Sequence, residues 1–191
     1  MDTKTRCDWS TKDPLYIKYH DDEWGVPLKD DQKLFEFLTL ETFQAGLSWI
    51  TVLRKRENFR AAFDNFDYKK IAVYDDSKFD SLLQNAGIIR NKLKIKATIS
   101  NARAFICVQK EFGSFSEYIW QFTGGKQIQN ERKSMNEIMA TTELSDTISK
   151  DLKQRGFNFV GSTVIYAYMQ ASGMVNDHLV SCFRHKEVTN V

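Results

Sequence analysis

Residues 82–91 read Leu82-Leu83-Gln84-Asn85-Ala86-Gly87-Ile88-Ile89-Arg90-Asn91. A glycine between apolar residues is typical of a tight turn, and we expect a helix over Ser77 to Asn85 before it and another over Lys92 to Glu111 after it. The second helix begins with Lys92, Lys94 and Lys96. Cations in the first turns of a helix oppose the helix dipole unless an anion lies nearby. A phosphate bound to the amides of the turn would remove that conflict.

Two interpretations of residues 77–111 are open. One is a simple helical corner whose basic start is solvated. The other is a helix-hairpin-helix, which binds the backbone of a nucleic acid without reading its sequence. In that second interpretation the candidates for contact with a DNA backbone are Gly87, Ile88, Arg90 and Lys92.

The rest of the chain predicts an all-α fold. Of its 191 residues 42% are hydrophobic and 13% aromatic, which suffices for a substantial core and excludes a disordered chain. Both prolines precede residue 28, and the apolar residues follow helical spacing. The other predicted helices span Asp31 to Ala45, Ser48 to Phe63, Tyr68 to Val73, Ser116 to Phe122, Ser134 to Ala140, Ser145 to Arg155 and Gly161 to Ser172. The last is apolar almost all round, so we expect it to be central.

Ends of the predicted helices carry capping signals. We expect Asp30, then Asp76 or Ser77, and Ser145 to cap helix starts. Glycines that mark helix ends are Gly46, Gly87, Gly113, Gly156 and Gly173. No internal repeat separates one part of the chain from another, so we expect a single domain over residues 1–191.

Charge and the two ends of the chain limit the class of protein. The net charge is only +2, so binding to nucleic acid would depend on local patches rather than on bulk basicity. Residues 1–6 are polar and no apolar run follows them, which predicts a cytoplasmic protein. The most apolar stretch, residues 164–169, is far shorter than the roughly 20 residues that span a membrane.

Cysteine and histidine residues form two pairs near opposite ends of the chain, Cys7 with His20 and His178 with Cys182. Two thiolates and two imidazoles are a complete tetrahedral set for one structural zinc ion, and such a site would join segment 1–30 to segment 174–191. If residues 178–182 form a helical turn, both of their ligands lie on one face. The alternative is an ordinary buried cysteine with surface histidines, and spacing alone does not choose between them.

The other two potential ligands have simpler interpretations. Cys107 lies among apolar residues of a predicted helix, where we expect it to be a small core residue. His185 lies in a polar tail, where we expect it to be exposed. An odd number of cysteines, three, argues against a disulfide framework.

Glu41 lies in the middle of an apolar helical face, beside Phe37 and Leu34. A buried carboxylate must pair, protonate or line a cavity. Backbone amides or a buried arginine are the structural alternative. The sequence Gln44-Ala45-Gly46-Leu47-Ser48-Trp49 then ends one helix and begins another, so Glu41 and Trp49 are candidates for two walls of one pocket.

The N-terminal arm is unusually aromatic for a segment without apolar periodicity. Trp9, Tyr16, Tyr19 and Trp24 surround His20 in the sequence. Aromatic residues in such an arm plug a core or stack on a planar base, and both interpretations are open.

Together these motifs resemble one family. They are Arg6-Cys7-Asp8-Trp9, Pro14-Leu15-Tyr16, Tyr19-His20-Asp21-Asp22-Glu23-Trp24-Gly25-Val26-Pro27, Glu41 with residues 44–49, Ala86-Gly87-Ile88-Ile89-Arg90, Arg155-Gly156-Phe157 with Phe159-Val160-Gly161, and Val175-Asn176-Asp177-His178 with Cys182. Their order over nearly the whole chain resembles the bacterial 3-methyladenine DNA glycosylase I family. The resemblance implies a helix-hairpin-helix superfamily fold, zinc on Cys7, His20, His178 and Cys182, and a base pocket that uses Glu41, Tyr19, Trp49, Trp9 and Tyr16.

The resemblance also implies a reaction. A glycosylase turns the damaged nucleotide out of alkylated double-stranded DNA and hydrolyses its N-glycosidic bond. The product is free 3-methyladenine, and its release is the first step of base excision repair. Methylation at N3 makes the purine cationic, so an aromatic face and a carboxylate both favour it. Glu41 would accept from the base edge, Tyr19 would add a hydrogen bond and Trp49 would stack; whether Glu41 also activates water, and whether 3-methylguanine is also a substrate, are left open.

Two details bear on the mechanism that is expected. No Asp occurs between Asp80 and Asp146, although many members of the superfamily place one after the second hairpin helix. No lysine stands at an evident nucleophile position beside the pocket motifs. The first argues against the usual Asp-assisted mechanism, and the second predicts a monofunctional enzyme that leaves an abasic site. We expect the protein to be a monomer.

Two other functional classes fit these residues less well. A zinc-clipped DNA-binding module that does not cut would have no reason to bury a carboxylate beside stacking aromatics. A metal-dependent hydrolase needs an open coordination position, and four protein ligands leave none.

Overall fold

The computed structural model describes residues 4–10 and 12–190. Within them the chain forms eleven α-helices and one pair of two-residue strands. The helices are α1 (Pro14–Asp22), α2 (Asp31–Gln44), α3 (Trp49–Leu53), α4 (Arg56–Ala62), α5 (Tyr68–Ile71), α6 (Asp76–Gln84), α7 (Lys92–Phe112), α8 (Phe115–Trp120), α9 (Glu143–Gln154), α10 (Ser162–Ala171) and α11 (Arg184–Glu187), and the strands are β1 (Ile128–Gln129) and β2 (Val175–Asn176). The expectation of an almost wholly helical fold is confirmed.

Side chains that accept hydrogen bonds from backbone N–H groups cap the starts of α2, α6 and α9. Asp30 caps α2 as predicted, since its side chain accepts from the backbone N–H of Lys33. Asp75 caps α6, one residue before the predicted position. Thr142 caps α9, three residues before the predicted cap, and Ser145 completes the reciprocal capping box from inside the helix.

The aromatic N-terminal arm is helical, which the sequence interpretation missed. Asp13 caps α1 by accepting from the N–H of Leu15, and Pro14 occupies the first helical position. Proline is favoured there because its missing N–H has no partner inside the helix. These two residues were the available signal, and the lack of a one-sided apolar stripe hid it.

Two other predicted helices are wrong in extent. The segment from Ser48 to Phe63 is divided into α3 and α4, because the N–H of Lys55 bonds to Val52 O, three residues back, and tightens the turn. Between residues 134 and 140 the helical structure is a single 3-10 turn, Met135–Glu137. Two apolar residues of that segment, Met135 and Ile138, line a cavity, whereas Met139 is exposed.

The hydrophobic core lies between α2, α7 and α10. As predicted, α10 is central: it packs against α2 and α9, and Ile165 and Tyr168 on it are fully buried. On the other side, α7 contacts α2, α5, α6 and α8. The parallel pair of β1 and β2 joins the loop after α8 to the segment that follows α10.

Close approach of two loops brings the ends of the chain together. A Cβ on Gly173 would lie 2.3–2.4 Å from the backbone of Val26 and Pro27, and Gly173 has a left-handed φ of +70°. Only glycine fits both conditions without strain. The N–H of Phe183 also donates to Thr5 O at 3.0 Å, so the N- and C-terminal segments are in contact.

Across the described part of the chain, no helix combines the length and apolar character needed to cross a bilayer.

Candidate functional site

The two Cys–His pairs meet at one buried cluster. The four ligand atoms of Cys7, His20, His178 and Cys182 lie within 4.8 Å of one another. Sulfur to nitrogen distances are 3.7 Å from Cys7 to His178, 3.4 Å from Cys182 to His20 and 3.6 Å from Cys182 to His178. A tetrahedron with zinc–sulfur and zinc–nitrogen bonds of ordinary length has edges of about 3.6 Å. The cluster can therefore hold a metal ion.

Hydrogen bonds outside the cluster orient both imidazoles. His20 Nδ1 lies 2.8 Å from Asp21 Oδ1, and Arg6 in turn donates to the same carboxylate. His178 Nε2 lies 2.9 Å from Trp24 O, which can only accept. Each ring therefore turns its other nitrogen towards the thiols, as metal-binding histidines do.

The two thiols shift each other's pKa in opposite directions. The pKa of Cys182 is lowered by hydrogen bonds from Cys7 and then from the two histidines. The same bond to Cys182, together with burial, raises the pKa of Cys7. A metal ion would replace the proton that the two sulfurs share.

Three details of the sequence interpretation need correction here. Residues 178–182 form an irregular turn in which Cys182 N donates to Leu179 O at 2.7 Å, not a helical turn. Cys107 is exposed rather than a core residue. His185 is half-buried, with Nε2 2.9 Å from Asn130 O, rather than fully exposed in a tail.

An open cavity of about 330 Å³ lies beside the metal cluster. Glu41 and the five aromatic residues singled out in the sequence all line it: Trp9, Tyr16, Tyr19, Trp24 and Trp49. The structure thus brings together the pocket candidates from the N-terminal arm, from α2 and from the start of α3. A cavity with mainly aromatic walls and a few polar groups is typical of a site for a small ligand.

Helix α1 links this cavity to the metal cluster. Tyr16 and Tyr19 face the cavity, and His20, the next residue, is a cluster ligand. The Trp9 ring contacts both sides, with its centroid 5.2 Å from Tyr16 and 5.3 Å from His20. Whatever fixes His20 therefore also fixes the aromatic wall.

Glu41 is buried, at 4% exposure, and nothing among residues 4–10 and 12–190 donates a hydrogen bond to its carboxylate. Burial raises its pKa from 4.5 to about 8. The structural alternative, a buried arginine, does exist nearby, but Arg56 Nε donates to Glu36 Oε1 at 2.6 Å instead. The Glu41 carboxylate is thus left for a ligand of the cavity.

The other polar groups of the wall are neutral. Burial raises the pKa of Tyr19 well above its usual value and also raises that of Tyr16. The indole N–H of Trp49 is buried and finds no acceptor within the described residues. These residues therefore offer the cavity two phenols and one unpaired donor beside the Glu41 carboxylate.

One buried residue anchors the turn between α6 and α7 to the hydrophobic core. Ile88 is buried, whereas Arg90 and Lys92 are exposed. The backbone N–H groups of Ile89, Arg90 and Lys92 donate to no acceptor in the described chain, so three donors of one turn have no protein partner. Unpaired amides in a turn are able to bind an anion.

Gly87 is required for space rather than for an unusual backbone. Its φ is not left-handed, but an added Cβ would lie 2.9 Å from Asn85 Oδ1 and 3.3 Å from Asn58. The same Asn85 oxygen accepts from the N–H of Gly87 at 2.8 Å. Gly87 therefore packs the turn, and its own amide is not free for a phosphate.

Lys94 does not belong to the surface of this turn. Its Nζ is buried and donates to Phe43 O at 2.8 Å and Ala45 O at 2.6 Å. These are terminal carbonyls of α2, which carry the negative end of that helix dipole. The negative end of the α2 dipole thus compensates the charge of Lys94 at the start of α7, and this lysine needs no external anion.

Sequence reasoning missed the far wall of the cavity. The side chains concerned are Gln44 on α2, Met135 and Ile138 near the 3-10 turn, and Thr163, Ala167 and Gln170 on α10. Because α10 was interpreted as buried on most sides, no face of it was assigned to a site. Its polar Gln170, unusual on an apolar helix, was the signal that could have found this wall.

Comparisons with known proteins agree with one another. The family model described as methyladenine glycosylase matches residues 9–185. DNA-3-methyladenine glycosylase 1 of Escherichia coli (strain K12) is 50% identical over 177 residues, which cover 93% of this chain and 95% of that protein. A crystal structure of 3-methyladenine DNA glycosylase I superposes with a TM-score of 0.91 at 52% identity, covering 94% of this chain and 98% of that one.

A further solved structure holds a ligand. It is a tyrosine-to-phenylalanine variant of 3-methyladenine DNA glycosylase I in complex with 3-methyladenine, with a TM-score of 0.91, 34% identity and coverage of 93% of this chain and 96% of that one. The family resemblance that the sequence motifs indicated is confirmed: this chain belongs to the methyladenine glycosylase family.

Proposed function

We propose that this chain hydrolyses the N-glycosidic bond of 3-methyladenine in alkylated double-stranded DNA and releases the free base. The main observation in its support is that the buried Glu41 carboxylate has no partner and lies in a cavity walled by aromatic rings. A carboxylate in that position is costly in the ligand-free protein. A cationic planar base repays the cost, because it meets a negative acceptor and π faces in one place.

Each pocket residue then has a role that follows from its chemistry. Glu41 accepts a hydrogen bond from the edge of the base, and its charge opposes that of the methylated purine. Trp49 stacks on the ring, with Tyr19 at 5.3 Å between centroids beside it. Trp9 and Tyr16 complete the aromatic wall at 5.2 Å from each other.

Little acid catalysis is needed in this mechanism. The N3-methylated purine already carries a positive charge, so it leaves as a neutral base when the glycosidic bond breaks and water adds to the sugar. No aspartate lies between residues 80 and 146, and the buried Lys94 is held by backbone carbonyls. We therefore propose a monofunctional enzyme that forms no Schiff base and leaves an abasic site.

Residues 77–111 serve in this proposal as a helix-hairpin-helix that binds the DNA backbone. Support comes from the unpaired amides of Ile89, Arg90 and Lys92 and from the two exposed cations among them. Gly87 and Ile88 shape the turn, by close packing and by burial in the core. Such contacts position DNA without reading its sequence, as an enzyme that searches for damage requires.

The metal cluster holds one structural zinc ion in this proposal. Two thiolates and two imidazoles suit zinc and fill its tetrahedral coordination, which leaves no position for water. When bound, the ion supplies a cross-link between segments 1–30 and 174–191 and no step of the reaction. This chain's own contribution is to set α1, and with it Tyr16 and Tyr19, against α2.

The remaining assignments concern the molecule as a whole. We propose a single glycosylase domain over residues 1–191, because one contiguous hydrophobic core extends from Cys7 to Cys182. We propose that it acts as a monomer in the cytoplasm, since binding a lesion requires no second copy of the cavity and its substrate is chromosomal DNA.

Release of labelled base from methylated DNA tests the proposed function. Duplex DNA treated with a labelled methylating agent is incubated with the protein, and the freed bases are separated and counted. We expect 3-methyladenine to be released at a rate well above the spontaneous rate, with abasic sites formed in equal number and no strand cleavage. Tight binding to damaged DNA without base release would instead support the non-cutting binding module.

A further inference from the structure

A second buried carboxylate lies behind the wall of the cavity. Asp177 is fully buried and follows β2, one residue before the cluster ligand His178. It accepts three hydrogen bonds: from Tyr166 Oη at 2.6 Å, from Asn130 Nδ2 at 2.6 Å and from Gln170 Nε2 at 2.8 Å. Its oxygens are neither metal ligands nor part of the cavity lining.

The bond to Asp177 fixes which way round the Gln170 amide lies. A carboxylate only accepts hydrogen bonds, so the amide must present its NH2 group to Asp177 and not its oxygen. The opposite end, Oε1, has no hydrogen-bond donor among the described residues. Since Gln170 forms part of the cavity wall, the polar atom that it offers to a ligand is an acceptor.

Two acceptors on one cavity wall discriminate between methylated purines. Adenine carries an amino group at C6 with two hydrogens, whereas guanine carries a carbonyl oxygen at the same place. The amino group can donate to Glu41 and to Gln170 at once. A guanine carbonyl would meet Gln170 Oε1 and, where Glu41 is ionised, the carboxylate as well, and it would leave these oxygens without a donor, which a polar site penalises strongly.

We propose that Gln170, oriented by Asp177, is a specificity residue that favours 3-methyladenine over 3-methylguanine. The inference rests on the proposed function and extends it to the choice between two alkylated purines. Gln170 contacts the base through Oε1. Asp177 is a positioning residue that acts through Gln170 and does not touch the base.

The test compares the two purines in one reaction. DNA methylated with a labelled reagent contains both bases, and their release is measured under single-turnover conditions for the parent and for Gln170→Leu. We expect the variant to release 3-methyladenine about 10-fold more slowly, the effect of one hydrogen bond, with release of 3-methylguanine unchanged or faster. The ratio of the two rates is the readout, because a loss of stability would lower both rates together.

Three further variants make the result independent of folding. Gln170→Met keeps an unbranched side chain of similar length without the amide, and it should reproduce the altered ratio. Asp177→Asn should shift the ratio in the same direction, since an asparagine can present its own NH2 to Gln170 and no longer fixes the amide. Tyr166→Phe is the matched control: it removes another donor from the same Asp177 oxygen while Gln170 keeps its bond, so the ratio should stay at the parental value.

An unchanged ratio in both Gln170 variants would overturn the inference, as would an equal slowing of both purines in variants that melt like the parent. Failure of the proposed function is a separate outcome, in which the parent itself releases no 3-methyladenine. A ratio that shifts in Tyr166→Phe as strongly as in Asp177→Asn would also contradict the orienting role of Asp177.

Discussion

Replacement of Glu41 by glutamine should stabilise the protein at neutral and alkaline pH while it impairs the proposed reaction. The folded protein keeps the Glu41 proton up to about pH 8, whereas the unfolded chain releases it near pH 4.5. Between these two values the unfolded state binds fewer protons, so the free energy of unfolding falls as the pH rises. Below pH 4.5 and above pH 8 this contribution no longer changes.

The size of the effect follows from the shift. Each pH unit in this window costs about 1.4 kcal/mol, which amounts to roughly 4 kcal/mol between pH 5 and pH 8. This is an upper limit, because the cavity is open and water that enters it solvates the carboxylate. Glutamine has the same shape but no proton to lose, so its stability relative to the parent should increase with pH.

Urea unfolding of parent and Glu41→Gln at pH 5, 6, 7 and 8 measures this difference directly. Glu36→Gln is the matched control, since Glu36 is also buried on α2 but its Oε1 accepts from Arg56 at 2.6 Å and Arg60 at 3.0 Å. That variant breaks a buried ion pair and should be destabilised by about 3–5 kcal/mol. If Glu41→Gln were destabilised in the same way, or if its difference from the parent did not vary with pH, the carboxylate would have partners and the reasoning would be refuted.

The same variant separates binding chemistry from stability. If the ionised carboxylate is the form that meets the cationic base, kcat/KM for 3-methyladenine release should rise with pH and level off above about pH 8 in the parent. Glu41→Gln should lose about 10- to 100-fold in rate, the range for a hydrogen bond to a charged group, and should lose that pH dependence. A stable variant that excised normally would contradict the role of Glu41.

Three other expectations concern the metal, the turn and the stacking residue. Elemental analysis should find one zinc per chain, and Cys182→Ser should lower the melting temperature and loosen the aromatic wall; a metal-free protein with unchanged melting and activity would contradict the structural zinc. Gly87→Val should weaken binding to damaged and undamaged duplexes alike, because its side chain displaces the turn. Lys92→Met should reduce the salt dependence of DNA binding by about one phosphate contact. If both variants bound DNA like the parent, residues 77–111 would be a simple helical corner without a role in DNA binding. Free 3-methyladenine should quench tryptophan fluorescence, most of the quench should vanish in Trp49→Ala, and Trp49→Leu should excise more slowly because leucine keeps apolar bulk but has no π face; parental rates in Trp49→Leu, or release of normal adenine by the parent, would rule out recognition by charge.

Local patterns were sufficient for most of the secondary structure. Spacing of apolar residues predicts α2, α6, α7, α9 and α10 to within a few residues, because each of these helices buries one face or is buried all round. The short helix α1 escaped, since its stability comes from the contacts of its aromatic residues with both the cluster and the cavity. A segment whose periodicity is masked by contacts on several faces gives no clear helical signal.

The sequence also determined the chemical types at the site but not their arrangement. Motifs named Cys7, His20, His178 and Cys182 as ligand types and singled out Glu41 on an apolar face; whether these residues meet was undetermined, because 171 positions separate Cys7 from His178. Only tertiary contacts bring them together: α1 packs against α3, and the loop after α1 bonds to the end of α10 through Gly25 N and Gln170 O. Contacts between distant segments depend on the whole core, which no local pattern encodes.

Tertiary structure alone decided three things. It left Glu41 without a partner by giving Arg56 to Glu36, it turned the Lys94 ammonium to the end of α2, and it placed Gln170 on the cavity wall with its amide fixed by Asp177. In the sequence all of these are ordinary polar residues of helices or their flanks. Which partner each one finds, or whether it finds one, is set by competition among many donors and acceptors in three dimensions.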